Sequence, residues 1–374
     1  MRILITGGAG FIGSHLARYA IEHGCDVTVL DNFSPQVHKS AELPGDIEGR
    51  VKLLVGDVAD LEVVRESLAG QDVVVHLAAE TGTGQSMYSI RQYERVNGLG
   101  TATLLECLIN DPDRSVTKIV VASSRAIYGE GKYHCATHGV VYPGERVPLA
   151  METGQFEPTC PICSAPCTPL PTDESAPVAP SSYYGLTKYV QERAVFLVAR
   201  AMSISSFALR FQNVFGPGQS LSNPYTGILA VFSNLARENK PINIFEDGRE
   251  SRDFIFVADA VDAIWRCVDP AQAGNDVYNV GTGIATSVAE VASCAKAILG
   301  SSSELRVSGA FRKGDIRHSI ADASKARDKL GFEAKWKFGR GLQEFLEWSR
   351  EREVTYSGYE KSLEELRIRG LMRG

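Results

Sequence analysis

Short β-branched runs alternate with stretches of helical periodicity through the N-terminal half of the chain. Arg2–Thr6, Val27–Leu30, Val51–Val55, Val73–Leu77, Lys118–Ala122 and Ser205–Arg210 are apolar runs of strand length. Between them, Phe11–His23, Leu61–Ala69, Tyr93–Ile109 and Tyr184–Met202 carry apolar residues at helical spacing. Nearly continuous hydrophobic strands separated by amphipathic helices predict an α/β fold, a doubly wound parallel sheet covered on both faces. The alternation stops from about Glu130 to Pro180 and returns afterwards. Beyond Gly216 the pieces are mixed: helices over Gly227–Glu238, Ala258–Val268 and Ser287–Leu299, an extended Ile242–Phe245 and a charged helical C-terminus. This predicts a smaller α+β lobe.

Composition narrows the function classes. The 374 residues are 44% hydrophobic and 22% charged, with a net charge of −6, which is ordinary globular composition. A chain this long exceeds one comfortable hydrophobic core, so two lobes sharing a cleft are expected. The boundaries fall at 1–204 and 205–374, interleaved, with a Cys/Pro-rich insertion at 131–180. No basic run marks nucleic acid or an anionic membrane, no apolar run is long enough to cross a bilayer, and the N-terminus lacks a signal-peptide pattern. The chain reads as a soluble cytoplasmic protein with small-molecule partners.

The first strand runs directly into Gly7-Gly8-Ala9-Gly10-Phe11-Ile12-Gly13 and then into a helix. Glycines so spaced allow a tight turn and close approach of a pyrophosphate to a helix N-terminus. Asp31 ends the second strand, where a carboxylate accepts hydrogen bonds from ribose hydroxyls. Together they make the first lobe a Rossmann-type dinucleotide-binding domain. Asn32 and Phe33 offer nothing to a 2′-phosphate, which favours NAD over NADP, although His38 and Lys39 stand nearby.

Tyr184 and Lys188 are spaced to share one helix face, and Ser124 lies at the C-terminal end of a predicted strand, the edge where such sheets bind ligands. A phenol needs about three pH units of help to act as a base near neutrality. A neighbouring Lys and a bound nicotinamide cation are expected to supply it. His76 reads as a buried strand residue.

The insertion holds nine of the chain's sixteen prolines and four of its eight cysteines. Cys135-Ala136-Thr137-His138 and Cys160-Pro161-Ile162-Cys163 have the spacing of a zinc ribbon, so Cys135, His138, Cys160 and Cys163 are the expected ligands of a structural Zn²⁺. A redox Cys pair, a relic site, and Cys167 in place of His138 remain alternatives. Lying between Ser124 and Tyr184, the insertion is expected near the site's rim, as a lid or a partner surface.

The motifs GGAGFIGSHL, Gly56-Asp57-Val58, His76-Leu77-Ala78-Ala79, Asn97, the Ser124/Tyr184/Lys188 set, LRFQNVFGPGQ, RDFIFVADA, YNVGTG and GDIRHSIADASKA resemble the extended short-chain dehydrogenase/reductase family, in its nucleotide-sugar epimerase/dehydratase branch. The resemblance runs from Met1 to about Phe332. It implies NAD contacts from Gly7, Gly10, Phe11, Ile12, Gly13, Asp31, Asn32, Asp57, Val58, Leu77, Ala78, Ala79, Asn97, Tyr184 and Lys188. It places Ser124, Tyr184 and Lys188 in catalysis, and Thr81, Ser86, Ser124, Asn213, Arg252, Arg312 and Asp315 against a sugar-nucleotide substrate. A simpler reading of Arg252 is an ion pair with Asp253 or another acid. Gln212 departs from the aromatic common in the family. Arg125 and Ala126 replace the Asp-Glu pair that dehydratases of this branch use, which favours a 4-epimerase.

SPQVH, GQSMYSI, YGEGKYHC and GPGQSLSNPYTGI are similar to a subgroup acting on deoxythymidine-diphosphate 6-deoxyhexoses, including rhamnose 4-epimerases. Alternatives are a 4-keto-6-deoxyhexose reductase, a dehydratase or decarboxylase, and a non-catalytic dinucleotide-binding protein. The helices at Tyr93–Ile109 and Tyr184–Met202 resemble the family's dimer pair, implying a homodimer.

Overall fold

The alternating strand pattern becomes a seven-stranded parallel sheet in the computed structural model, which describes residues 1–38, 40–223, 225, 227–353 and 358–374; Lys39 lies outside them. Its strands run in the order Asn275–Val280, Ser205–Phe211, Lys118–Ser124, Val73–His76, Arg2–Thr6, Asp26–Asp31, Lys52–Val55. The strand order reverses between Arg2–Thr6 and Val73–His76, which opens a crevice at their C-terminal ends. Two of the seven strands come from beyond residue 204, so the two halves of the sequence interleave in one sheet.

Strand alternation divides the apolar residues between two cores. Ile3, Ile5 and Val29 pack under the helices Phe11–Glu22 and Val257–Val268. Leu4, Leu30 and Val74 face Leu61–Leu68, Gly100–Asn110 and Tyr183–Ala201. Each such buried side chain contributes about 1.5–3 kcal/mol of transfer free energy.

The single helix expected over Tyr93–Ile109 is broken. An α-turn at Ile90–Tyr93 passes into a π-helical Glu94–Leu99 and then into Gly100–Asn110. The wider turn buries Asn97 completely.

The second lobe surrounds a cluster containing Phe215, Phe254, Phe256 and Phe345, packed by the helices Ile228–Arg237, Val288–Leu299 and Phe338–Arg350. At the C-terminus, Met372–Arg373 pairs antiparallel with Phe311–Arg312 after the helix Tyr359–Ile368. Residues 131–180 are joined to the rest of the fold, with Thr172 bridging Ala321 and Arg146 pairing with Glu246. Gly139–Val141, Tyr133–Cys135 and Thr168–Pro169 make a small antiparallel sheet over a cluster of Tyr133, Cys135, Val141, Cys160 and Cys167.

Candidate active site

The glycine loop and the crevice meet in one cavity of about 630 Å³. A Cβ on Gly13 would lie 2.3 Å from the Gly7 carbonyl oxygen, so the helix Phe11–Glu22 starts hard against the loop only because this residue has no side chain. Gly7, Gly10, Phe11, Ile12, Gly13, Asp31, Asn32, Val58, Leu77, Ala78 and Ala79 all line the cavity. Asp31 accepts hydrogen bonds from the N–H groups of Ala9 (3.0 Å) and Phe33 (2.9 Å), and His38 Nε2 stands 3.5 Å from Oδ1. Its carboxylate is thus fixed at the strand end, with lone pairs left over for a ligand.

Three expected contacts do not line this cavity. Asp57 pairs with Arg95 at 2.7 Å and accepts the Ala59 N–H. Asn97 accepts the Glu80 N–H at 2.8 Å and donates to Thr187 Oγ1 at 2.9 Å, so it braces the segment after Ala79 against the catalytic helix. Ser86 is buried and donates to the Thr83 carbonyl. In each case local hydrogen bonding consumes the side chain.

Ser124 ends the strand Lys118–Ser124, and its Oγ accepts the Ala126 N–H at 3.1 Å. Tyr184 lies in the first turn of the helix Tyr183–Ala201, which Ser182 caps by accepting the Gly185 N–H. A Cβ on Gly185 would fall 2.5 Å from the Ala126 carbonyl oxygen, so this glycine lets the helix start close onto the turn after Ser124. Tyr184 and Ser124 thus line the same cavity, close enough for the Ser124 hydroxyl to favour the ionised phenol.

Burial raises the Tyr184 pKa, while the Ser124 hydroxyl and the Arg125 charge oppose that rise. Lys188 donates to the Ala122 carbonyl at 3.0 Å, and burial pushes its pKa down to about 7. Lys188 and Arg125 both line the cavity with Tyr184, and the Arg125 charge favours the phenolate. His76 is buried between Thr6 and Thr101, and burial pushes its pKa down to about 3, as suits a core residue.

The far end of the cavity is cationic. Thr81, Asn213, Arg252, Arg312 and Asp315 line it. Arg252 contacts the Asp315 carboxylate at 3.2 Å and donates to the carbonyls of Ser251 and Arg317. It does not pair with Asp253, whose carboxylate is consumed by Thr282, Gly283 and Ala321. Arg312 lies over the Phe245 ring at 4.9 Å. Gln212 lines the cavity and accepts a hydrogen bond from the Ser319 hydroxyl.

Four buried polar atoms on this lining have no protein partner: Arg125 Nη1, Gln219 Oε1, Glu250 Oε2 and Arg312 Nε. Such atoms are costly unless a ligand or water completes them. Arg125 Nη1 and Arg312 Nε suit the oxygens of an anion, whereas Gln219 Oε1 calls for a donor such as a hydroxyl. Gln219, Glu250 and Tyr359 were not singled out in the sequence. Gln219 closes the LRFQNVFGPGQ motif without having been given a role, no motif marks Glu250 or Tyr359, and Tyr359 reaches the cavity through the C-terminal helix and strand.

The four expected metal ligands also come together, with all their donor atoms within 4.8 Å of one another. Cys167 is outside this group; its Sγ faces the Ala165 carbonyl. The Cys160–Cys163 turn is closed by a Thr159–Pro166 bridge and does not start a helix, the usual setting of an activated redox pair.

The model of the NAD dependent epimerase/dehydratase family matches residues 3–145 and 159–281. The dTDP-L-rhamnose 4-epimerase of Burkholderia thailandensis is 38% identical over 349 residues, spanning 93% of this chain and 94% of that protein. Among solved structures, the UDP-glucose 4-epimerase of Thermotoga maritima with UDP-glucose superposes with a TM-score of 0.75 at 29% identity, covering 94% of this chain and 99% of that one. The Thermus thermophilus UDP-glucose 4-epimerase complex with NAD gives 0.74 at 26% identity, covering 94% and 100%. With the glycine loop, the Ser124–Tyr184 pair and the cationic far end converging on one cavity, the chain belongs to the NAD dependent epimerase/dehydratase family.

Proposed function

We propose that the protein is a nucleotide-sugar 4-epimerase that inverts C4 of a nucleoside-diphosphate hexose, with a deoxythymidine-diphosphate 6-deoxyhexose as the preferred substrate class. The observation that carries this reading is the convergence of Ser124, Arg125, Tyr184 and Lys188 on one cavity lining, with no carboxylate at 125 or 126. A 4,6-dehydration needs an acid and a base at that point. The likeness to a dTDP-L-rhamnose 4-epimerase supports the same substrate class.

In this reading residues 1–204 hold NAD, and the part from 205 onward holds the sugar nucleotide. The glycine loop takes the pyrophosphate and Asp31 the ribose. NAD held there would supply reversible hydride transfer at C4. Tyr184, as phenolate, takes the proton of the sugar 4-hydroxyl, and Ser124 hydrogen-bonds the same oxygen. Arg252 and Arg312 hold the diphosphate as planar donors while the oxidised hexose turns over in the pocket. Tyr184 then returns the proton to the same C4 oxygen, and hydride return to the opposite face of the turned ring would invert C4.

Cys135, His138, Cys160 and Cys163 hold a structural Zn²⁺, and a cytoplasmic setting keeps the thiols reduced. Ile90, Leu99, Leu186, Val190 and Leu197 are exposed on the two helical segments that resemble the family's dimer pair, which supports a homodimer. Among the described residues no helix is long and apolar enough to cross a membrane.

Incubating the purified protein with a panel of sugar nucleotides, without added cofactor, tests the activity. A C4-inverted product with no net redox change is expected. A strict requirement for added NAD(P)H and an oxidised coenzyme product would identify a reductase instead.

A further inference from the structure

The small sheet of the insertion has few apolar residues of its own, yet it reaches across to the cationic end of the cavity. Its two Cys-bearing turns are close enough to share one ion. Cys135 Sγ lies 3.6 Å from His138 Nδ1 and 3.7 Å from Cys163 Sγ, and Cys160 Sγ lies 3.5 Å from the same His138 nitrogen. A tetrahedral Zn²⁺ with ordinary bond lengths requires S···S of about 3.8 Å and S···N of about 3.6 Å. A disulfide would require about 2.05 Å. Two tight turns thus place three of the six donor–donor distances at the values zinc requires, with all six within 4.8 Å.

Next to these turns the insertion grips the second lobe through the buried Arg146 and through the buried Arg317, which also pairs with Glu246 and Asp247 and meets the more exposed Glu157. Glu157, three residues before Cys160, accepts from Arg317 Nε at 2.9 Å and Nη2 at 2.6 Å, and its other oxygen faces His318 at 3.1 Å. The Arg317 side chain is completely buried. Arg146 bridges Glu130, Glu246, the Phe156 carbonyl and the Asp315 carbonyl. The residues so gripped, Asp315 and Arg317, are the ones that hold Arg252: Asp315 through its carboxylate and Arg317 through its carbonyl. Arg146 and Glu157 fall in 146–158, the stretch over which the family's pattern does not match this chain.

We infer that Cys135, His138, Cys160 and Cys163 bind one Zn²⁺ that anchors a strap, and that Glu157 and Arg146 of this strap fix the Asp315–Arg317 segment so that Arg252 is preset for a nucleoside diphosphate. The strap is a positioning element and touches no reacting atom. The inference rests on the sugar-nucleotide reading only for the identity of the anion. A segment stabilised by few apolar contacts and many ion pairs depends on such an anchor, because the metal supplies folding free energy that its small core lacks.

The test uses the full-length holoenzyme. Metal analysis reads zinc per chain, hydrogen exchange reads the backbone of Gly314–Ile320, and calorimetry with deoxythymidine diphosphate reads binding. The expected result is one zinc per chain. Chelation should speed exchange across Gly314–Ile320 and weaken diphosphate binding about tenfold, with NAD content unchanged. Glu157→Gln, which leaves the metal ligands intact, should keep its zinc and show the same two effects; Cys163→Ser should lose the metal. Substoichiometric zinc in protein purified from zinc-supplemented medium overturns the site. Full zinc with unchanged exchange in both the chelated protein and Glu157→Gln overturns the strap. A failure of sugar inversion, with these exchange effects intact, would count against the epimerase reading and leave the strap standing.

Discussion

The Nε–H of Arg125 donates to Asn213 Oδ1 over 2.9 Å, tying the turn after Ser124 to the first residue of the strand Asn213–Phe215, while Arg125 Nη1 has no protein partner. This holds a buried guanidinium beside Tyr184, where its charge favours the phenolate. Arg125→Met should therefore raise the phenol pKa. The ascending limb of the kcat–pH profile should move up by about one unit, and Arg125→Lys should restore part of the shift. An unchanged limb in Arg125→Met would assign Arg125 to binding alone.

In the proposed mechanism Tyr184 exchanges a proton with the sugar. Tyr184→Phe should lower kcat by about 10³-fold with little change in thermal stability or in copurifying NAD. Single-turnover measurement of sugar oxidation isolates this step; substantial residual oxidation would move the base elsewhere.

Glu250 is a buried carboxyl on the cavity wall, pushed up to about 7 by burial and by Glu246, with Arg252 opposing. Below that pH it is neutral, and above it the carboxylate repels a diphosphate. KM for the sugar nucleotide should rise as pH increases through 7, and Glu250→Gln should flatten the rise. Parallel KM–pH curves for the two proteins would exclude this role.

Gly13 admits no side chain because its Cβ would stand 2.3 Å from the Gly7 carbonyl oxygen. Gly13→Ala should displace the loop and strip the protein of copurifying dinucleotide, measured by absorbance after denaturation. Far-ultraviolet circular dichroism should stay close to that of the parent, since the strands behind the loop are independently buried. Retention of full NAD content would mean that the pyrophosphate sits elsewhere.

The glycine loop and Asp31 were legible because they are adjacent to a strand and a helix whose periodicity is local. Tyr184 and Lys188 were legible for the same reason, one helical turn apart. Asn97 and Asp57 carried family motifs, yet both side chains are spent on neighbouring protein groups, Asn97 on Glu80 and Thr187 and Asp57 on Arg95. Glu250 has no local pattern at all; its environment is assembled from strands and loops far apart in the chain.

Periodicity and short spacing along the chain were enough to specify the parallel sheet and the glycine loop and to pick out the Cys135, His138, Cys160 and Cys163 cluster, while Ser124, Tyr184 and Lys188 needed the family resemblance as well. Folding in three dimensions was needed to put Arg125 beside the phenol, to give Arg252 to Asp315 rather than Asp253, and to close the insertion on Arg317. Those are choices of partner among several charges of suitable sign. Partner choice is fixed by which groups folding buries together, because a buried charge must find its counter-charge in space, whatever the distance along the chain.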